Sequence, residues 1–343
     1  MLLIYGATGY TGGLVAEEAR RRGLQQVVLA GRSEAKLRPL AARLGFPYRA
    51  FELARPDLGG VQAVLHCAGP FSATSRPMID ACLAARAHYL DITGEVDVFE
   101  AVFARDAEAR ERGVVLLPGA GFDVVPSDCL AKHLSEKLPG ASSLELAFAS
   151  EGGSSRGTMK TLVEGLARGG RLRRGGRLVQ AKIASEVREI DFGDRSRSAM
   201  SIPWGDLATA WRSTGIPDIT VYIAARPAAI RAARLIHYAA PLLGLGAVQS
   251  FLKARVERNL TGPGATERAR GSVRLWGRVA SGRASAAATL QTPEGYTFTA
   301  DAALCCAGRI LEGGVQPGAW TPAQAFGSGF AATLQGVTMQ DRP

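Results

Sequence analysis

Cysteine and histidine are scarce in this chain of 343 residues, which has five of the first and four of the second. The cysteines are odd in number and none has CxxC spacing, so we predict neither a disulfide framework nor a cysteine zinc site. The histidines show no metal-ligand pattern either, and we expect no bound metal. These residues are Cys67, Cys82, Cys129, Cys305 and Cys306, with His66, His88, His133 and His237.

Lysine is also rare, since nearly all of the 41 basic residues are arginine, and the net charge is +10. A positive field attracts anions of many kinds. However, the chain lacks helix-turn-helix, zinc-finger and aromatic RNA-binding motifs, so we expect no nucleic-acid partner. The stretch 168–177 resembles an RGG segment, but it is short, and we interpret it as a solvated basic turn.

Long apolar runs are absent except for one interrupted stretch, residues 235–252. Its length approaches a membrane span. Pro241, Gly244 and Gly246 interrupt it, as do His237 and Gln249. Three interpretations stay open: a buried helical hairpin, an apolar lid or interfacial helix that touches lipid or a hydrophobic substrate, and a transmembrane helix.

The remaining composition is that of a folded protein, with 47% hydrophobic residues and a mean hydropathy of +0.05. The length allows two domains, each with its own core. Because the chain starts directly on its first predicted strand, we expect no signal peptide, and the cysteine usage agrees with a reducing cytoplasm.

The first twelve residues, MLLIYGATGYTG, place a glycine turn between an apolar strand and a helix. The spacing Gly6-x-x-Gly9-x-x-Gly12 allows a tight turn, close approach of a pyrophosphate to the backbone, and close packing of helix on strand. A helix N-terminus also presents unpaired N–H groups to phosphate. We therefore predict a dinucleotide site that includes Gly6, Thr8, Gly9, Tyr10, Thr11 and Gly12.

The second predicted strand ends at Gly31-Arg32-Ser33, twenty residues after the glycine turn. An NAD enzyme would carry an acidic residue there for the ribose 2′-hydroxyl. Arg32 with Ser33 suits a 2′-phosphate instead, because a guanidinium binds phosphate through forked, charge-assisted hydrogen bonds. The sequence therefore predicts NADP(H) as the cofactor.

Strand and helix signals alternate up to residue 135, as in a doubly wound parallel sheet. We predict an α/β fold, with an N-terminal Rossmann domain at 1–135 and a mixed α+β domain with an antiparallel sheet at 136–300. That second domain would serve substrate binding or dimerisation, and it includes a predicted helix over 156–168. Residues 301–343 are expected to form C-terminal helices that pack on the first domain.

Several segments together resemble the saccharopine dehydrogenase-like oxidoreductases, which include the trans-acting enoyl reductases. The resemblance runs through nearly the whole chain, and its motifs are Gly6–Gly12, Ala30–Ser33, Cys67–Phe71, Tyr89–Glu95, Pro118–Asp128, Trp204–Leu207, Gly262–Gly264 and Thr321–Gly327. It implies an NADP-binding Rossmann domain and a mixed second domain. It does not define the substrate, although the apolar stretch 235–252 favours a hydrophobic one that is linked to a carrier or to lipid.

Ligands of such sheets lie beyond the carboxyl ends of the strands. We therefore expect the loop Ala68, Gly69, Pro70 and Phe71 to contact the cofactor. Hydride transfer usually needs a proton donor as well. Tyr89, Asp91 and Asp123 are the candidate catalytic residues, although the two aspartates could simply cap turns or helices.

No tyrosine has a lysine four residues later, which argues against a short-chain dehydrogenase mechanism. We predict an NADPH-dependent reductase that acts on a C=C, C=O or C=N bond of a hydrophobic substrate. An amino-acid or opine-type dehydrogenase and a non-catalytic NADP-binding protein remain alternatives. Peripheral membrane contact, acyl-carrier contact and a homodimer stay open.

Overall fold

The computed structural model describes residues 1–150, 159, 169–243, 245–259 and 262–342. The chain divides into two compact units, one made of Met1–Val125 and Tyr296–Phe326, the other of Pro126–Gly295 and Gly327–Pro343. The predicted helix at 156–168 lies outside the described residues, apart from the single position 159.

A parallel sheet of seven strands forms the centre of the first unit, in the order β15-β6-β5-β4-β1-β2-β3. Strands β1, β2 and β4 are apolar and fully buried, as expected for a parallel sheet covered on both faces. Strand β1 lies between β2 and β4 and is parallel to both, so the order of the strands reverses beside the glycine turn. The strands are β1 Leu2–Tyr5, β2 Val27–Gly31, β3 Tyr48–Ala50, β4 Ala63–His66, β5 His88–Asp91, β6 Val115–Leu117 and β15 Gly318–Ala319.

Helices connect these strands and bury one face each, which completes the predicted Rossmann architecture of this α/β protein. They are α1 Tyr10–Arg21, α2 Glu34–Leu44, α3 Phe71–Ala85, α4 Val96–Phe103 and α5 Asp106–Arg112, with the later helices Gly295–Leu311 and Pro322–Phe326. Helix α2 ends at Gly45, whose φ of 69° is the left-handed conformation that glycine adopts easily.

The sequence pattern predicts a helix over 77–87, with Pro77 at its first position, and a single long helix over 98–112, and both predictions are wrong in detail. Helix α3 starts at Phe71, so Pro77 lies inside it and not at its first position. Tertiary contacts along the buried face outweigh the lost backbone hydrogen bond. The single helix predicted over 98–112 is two helices, because Arg105 leaves the helical conformation and the Asp106 carboxylate accepts a hydrogen bond from Ala319 of β15.

The second unit has a mixed sheet in the order β10-β11-β12-β7-β13-β14-β16, with β8 and β9 attached beside β12. Its strand pairs are antiparallel except for β12 with β7. The strands are β7 Ser143–Ser150, β8 Gly170–Arg174, β9 Arg177–Ala181, β10 Val187–Asp191, β11 Ser196–Ser201, β12 Asp218–Ala224, β13 Ser272–Ser281, β14 Ala284–Pro293 and β16 Thr338–Arg342. This is the mixed α+β arrangement that the sequence predicts.

Helices accompany this sheet, and a small core forms on one of its faces. Tyr222, Phe192 and Ile190 are buried in that core, together with alanines of β7 and β11. The helices are α6 Val125–Lys137, Asp206–Thr214, Pro227–Leu243, Gly246–Asn259 and Ala265–Arg270, with a 3-10 helix at Phe330–Thr333.

Two further expectations need correction here. The end of the chain is not helical, since Thr338–Arg342 pairs with β14 in the second sheet. The basic stretch 168–177 is not simply a solvated turn, since its described part forms β8, a glycine turn and the start of β9. Arg173 of β8 is buried. Its guanidinium lies 5.4 Å from the centroid of the Trp211 ring and donates a hydrogen bond to the carbonyl of Gly176.

The apolar stretch 235–252 falls on the two consecutive helices Pro227–Leu243 and Gly246–Asn259. No described helix combines the length and the apolar character that a membrane span requires. Of the three interpretations, the buried hairpin does not fit, because Leu235, Leu245 and Phe251 are exposed.

Candidate functional site

The glycine turn after β1 is shaped by contacts too close for any side chain. A Cβ on Gly12 would lie 2.2 Å from the carbonyl oxygen of Gly6, and one on Gly6 would lie 2.9 Å from Ala68. Gly6 also has a φ of +84°, which a side chain would strain. The turn therefore brings α1 directly against β1 and next to the loop after β4, as the motif predicts.

The N-terminus of α1 is open to an anion. Its N-cap is Gly9, which has no side chain that could cap the helix, and the first turn contains no acidic residue. Thr8 and Gly9 are exposed, while Thr11 is half-buried. Tyr10 packs edge-on against Tyr296 at 5.0 Å between ring centroids. These backbone N–H groups and the helix dipole favour a bound phosphate.

Arg32 follows β2 at the same edge of the sheet and is exposed. Ser33 begins α2 without a side-chain cap. The carboxylate nearest in sequence, Glu34, is engaged elsewhere, since it pairs with Arg38 at 2.6 Å and accepts a hydrogen bond from the Tyr48 hydroxyl. The turn therefore presents a cation and a hydroxyl, which fits the 2′-phosphate of NADP(H).

The loop from Ala68 to Phe71 is held by a carboxylate that sequence reasoning did not assign to this role. Glu95 accepts hydrogen bonds from the backbone N–H groups of Phe71 and Ser72, at 2.9 and 3.1 Å. It therefore caps α3 from a position 24 residues away. No local pattern marks this contact, because capping residues are normally adjacent to the helix they cap.

Asp91 ends β5 and connects two loops of the site. It accepts hydrogen bonds from the backbone N–H groups of Thr93 and Gly119, at 3.0 and 2.9 Å, and from the Tyr89 hydroxyl at 2.7 Å. The side chains of Tyr89 and Asp91 are both fully buried. Burial raises the pKa of Asp91 to about 6, and burial with the neighbouring carboxylate raises that of Tyr89 well above its usual range.

Asp123 belongs to the loop between β6 and α6 and lies against the loop after β5. A Cβ on Gly94 would meet the Asp123 carboxylate at 2.6 Å, so the glycine leaves the space that this carboxylate occupies. Burial, assisted by the negative charge of Glu95, raises the pKa of Asp123 to about 7. At neutral pH the group can therefore both hold and release a proton.

Cys67 lies at the start of the same edge but has no reactive character. Burial raises the pKa of its thiol to about 12, so the thiolate that would act as a nucleophile does not form at neutral pH. The structure thus brings to one edge of the sheet the glycine turn, the Arg32 turn, the loop Ala68–Phe71 and the three candidate catalytic residues.

Comparison with known proteins agrees with this geometry. The fold and the glycine turn define a dinucleotide-binding Rossmann domain. Residues 2–117 match the model of the saccharopine dehydrogenase NADP binding domain. The cofactor that this match indicates is NADP(H).

The matches to curated proteins cover only part of this chain and only part of each relative. A trans-acting enoyl reductase of Mycobacterium leprae is 33% identical over 154 residues, which cover 40% of this chain and 36% of the relative. A saccharopine dehydrogenase-like oxidoreductase of Mus musculus is 31% identical over 163 residues, or 40% and 38% of the two chains. The matched regions therefore span well under half the length of these relatives.

Among solved structures, apo saccharopine dehydrogenase (L-Glu forming) of Saccharomyces cerevisiae is similar over 100% of this chain and 99% of its own. The TM-score is 0.69 and the sequence identity is 10%. At that identity the similarity is one of fold alone.

Proposed function

We propose that this protein is an NADPH-dependent oxidoreductase that reduces a polarised double bond of a hydrophobic substrate, with Asp123 as the proton donor. The observation that carries the proposal is the Asp123 carboxyl itself, whose pKa is raised to about 7 at the carboxyl edge of a dinucleotide-binding sheet. A general acid works best when its pKa lies near the working pH.

The cofactor would be held by the chain's own backbone and one cation. The N–H groups at the start of α1 would bind the pyrophosphate, and Arg32 with Ser33 would bind the 2′-phosphate. The absence of any room for a side chain on Gly12 supports this arrangement. When bound, NADPH supplies the hydride.

Asp123 is favoured over Tyr89 and Asp91 because the Tyr89 hydroxyl and the Asp91 carboxylate are hydrogen-bonded to each other and hold the surrounding loops. The Tyr89 hydroxyl donates to Asp91, and Asp91 is occupied by two backbone N–H groups. Both residues therefore act as supports that fix the loops after β5 and β6. Asp123 is only partly buried, and its carboxylate lies against Gly94 of the loop after β5.

The preference for a hydrophobic substrate rests on the residues of the three loops. Residues 68–72, 91–95 and 119–123 contain no lysine or arginine, whereas they contain Phe71, Ile92 and Phe122. An amino-acid substrate with several carboxylates would need cations in this region. The names of the reductase relatives point to a C=C bond conjugated to a carbonyl, which would take the hydride at one carbon and the Asp123 proton at the next.

The test is transfer of deuterium from 4-deuterated NADPH to 2-enoyl thioesters of increasing chain length. The proposal predicts deuterium in the saturated product, a rate that rises with chain length, and little reaction with NADH. Oxidation of NADPH only with 2-oxo acids and amino acids would replace it with an amino-acid dehydrogenase. Binding of NADPH without turnover of either substrate class would contradict an enzymatic role.

A further inference from the structure

The most exposed apolar side chains of the described residues lie close together in the sequence. Leu235, Leu245 and Phe251 are 70%, 54% and 61% exposed, whereas the other large exposed apolar residues reach only 36–39%. Single exposed apolar residues are common on protein surfaces, but clustered ones mark interaction sites. Leu235 and Phe251 lie on the helices Pro227–Leu243 and Gly246–Asn259, and Leu245 directly precedes the second of them. We call residues 227–259 the 227–259 helix pair.

Exposed arginines lie on the same helix faces as these apolar residues. Phe251, Arg255 and Arg258 are spaced by four and three residues, so they share one face of the second helix. Arg231 and Leu235 are likewise four residues apart on the first helix. All five are exposed. On both helices the apolar residue lies nearer in sequence to Leu245, and the arginines lie one or two turns further away from it.

The charge of the helix pair is strongly one-sided. It contains five basic residues and a single acidic one, Glu257. The basic residues are Arg231, Arg234, Lys253, Arg255 and Arg258. If two copies of this surface met, their positive charges would repel each other. An uncharged small molecule would not require the basic residues for binding.

We infer that the 227–259 helix pair docks on an anionic lipid surface. The apolar residues near the connection enter the boundary between headgroups and acyl chains, and the arginines meet the lipid phosphates. Charge complementarity selects this occupant. No described helix is long and apolar enough to span the bilayer, so the contact is peripheral. This surface does not depend on the proposed reaction.

The experiment is flotation of the full chain with vesicles of phosphatidylcholine alone or of phosphatidylcholine with phosphatidylserine. We expect flotation with the second kind only, weakened by salt because exposed charges are screened. Arg255→Ala should lower the partition coefficient about fivefold. Phe251→Ser should lower it roughly tenfold, since it removes an inserted aromatic ring. Leu24→Ser, at an exposed apolar residue of the first unit, should change nothing.

Three outcomes would overturn the inference. The wild type could fail to float with vesicles that contain phosphatidylserine, or the Phe251 and Leu24 variants could float equally well. The wild type could also sediment as a dimer that Phe251→Ser separates, without binding vesicles, which would assign the surface to a second copy. Thermal unfolding of each variant checks that the exposed substitutions leave the fold intact.

Discussion

Replacing Asp123 by asparagine separates its chemical role from its effect on the fold. The amide has nearly the same shape but cannot donate the proton, and loss of a general acid typically lowers kcat by about 10²–10⁴. Because Asp123 lies outside the glycine turn, the affinity for NADPH should stay within about twofold. The pH profile should change as well. The protonated carboxyl is the active form, so the wild-type reduction rate should be level below pH about 7 and fall above it.

The same substitution should alter the pH dependence of stability. The pKa of Asp123 rises from 3.8 to about 7 on folding, so the folded state keeps a proton that the unfolded state has lost. The wild type is therefore expected to lose stability as pH rises from about 4 to 7. Since one pKa unit corresponds to about 1.4 kcal/mol, the upper bound is roughly 4 kcal/mol, and the partial exposure of the carboxyl reduces it.

Steady-state kinetics from pH 5 to 9 and urea unfolding at pH 5 and 8 measure both effects. Asp123→Asn should be slow, should lose the fall in rate above pH 7, and should be more stable than the wild type at pH 8. Asp57→Asn, at an exposed carboxylate of the same unit, is the matched control and should change neither property. A rate within tenfold of the wild type, or an unchanged pH profile, would refute the assignment.

Three further substitutions test the supports of the site. Gly12→Ala forces a Cβ to within 2.2 Å of the Gly6 carbonyl oxygen, so it should destabilise the protein by about 1–3 kcal/mol. It should also weaken NADPH binding in calorimetry, and an affinity equal to that of the wild type would contradict the close packing. Glu95→Gln removes a negative charge that raises the pKa of Asp123, so the fall in rate should move to lower pH, and an unmoved profile would argue against this coupling. Tyr89→Phe removes one buried hydrogen bond, so it should cost about 1–3 kcal/mol in urea unfolding and leave kcat within threefold, whereas a hundredfold loss would make the tyrosine the proton donor.

The parts of the fold that follow a local rule were predictable. The glycine turn between β1 and α1 depends on residues adjacent in sequence, and the alternation of apolar strands and helices predicts the parallel sheet. The turn at Arg32 was predictable for the same reason, since its distance from Gly12 is set by one helix and one strand.

Contacts between distant segments could not be predicted in this way. Glu95 caps α3 across 24 residues, and strand β16 pairs with β14 although its sequence has no apolar alternation. Pro77 would ordinarily mark a helix start, and its place inside α3 depends on the buried face of that helix. The exposure of Phe251 likewise depends on tertiary packing, which periodicity does not reveal.

The most direct test of the cofactor site is calorimetric titration of NADPH and NADH into the wild type and Arg32→Ala. We expect the wild type to bind NADPH at least tenfold more tightly, because a charge-assisted contact to the 2′-phosphate contributes about 1.5–3 kcal/mol. Arg32→Ala should remove that preference and leave NADH binding unchanged. Equal affinities in the wild type, or a preference that survives the substitution, would contradict the role of Arg32 in selecting NADPH.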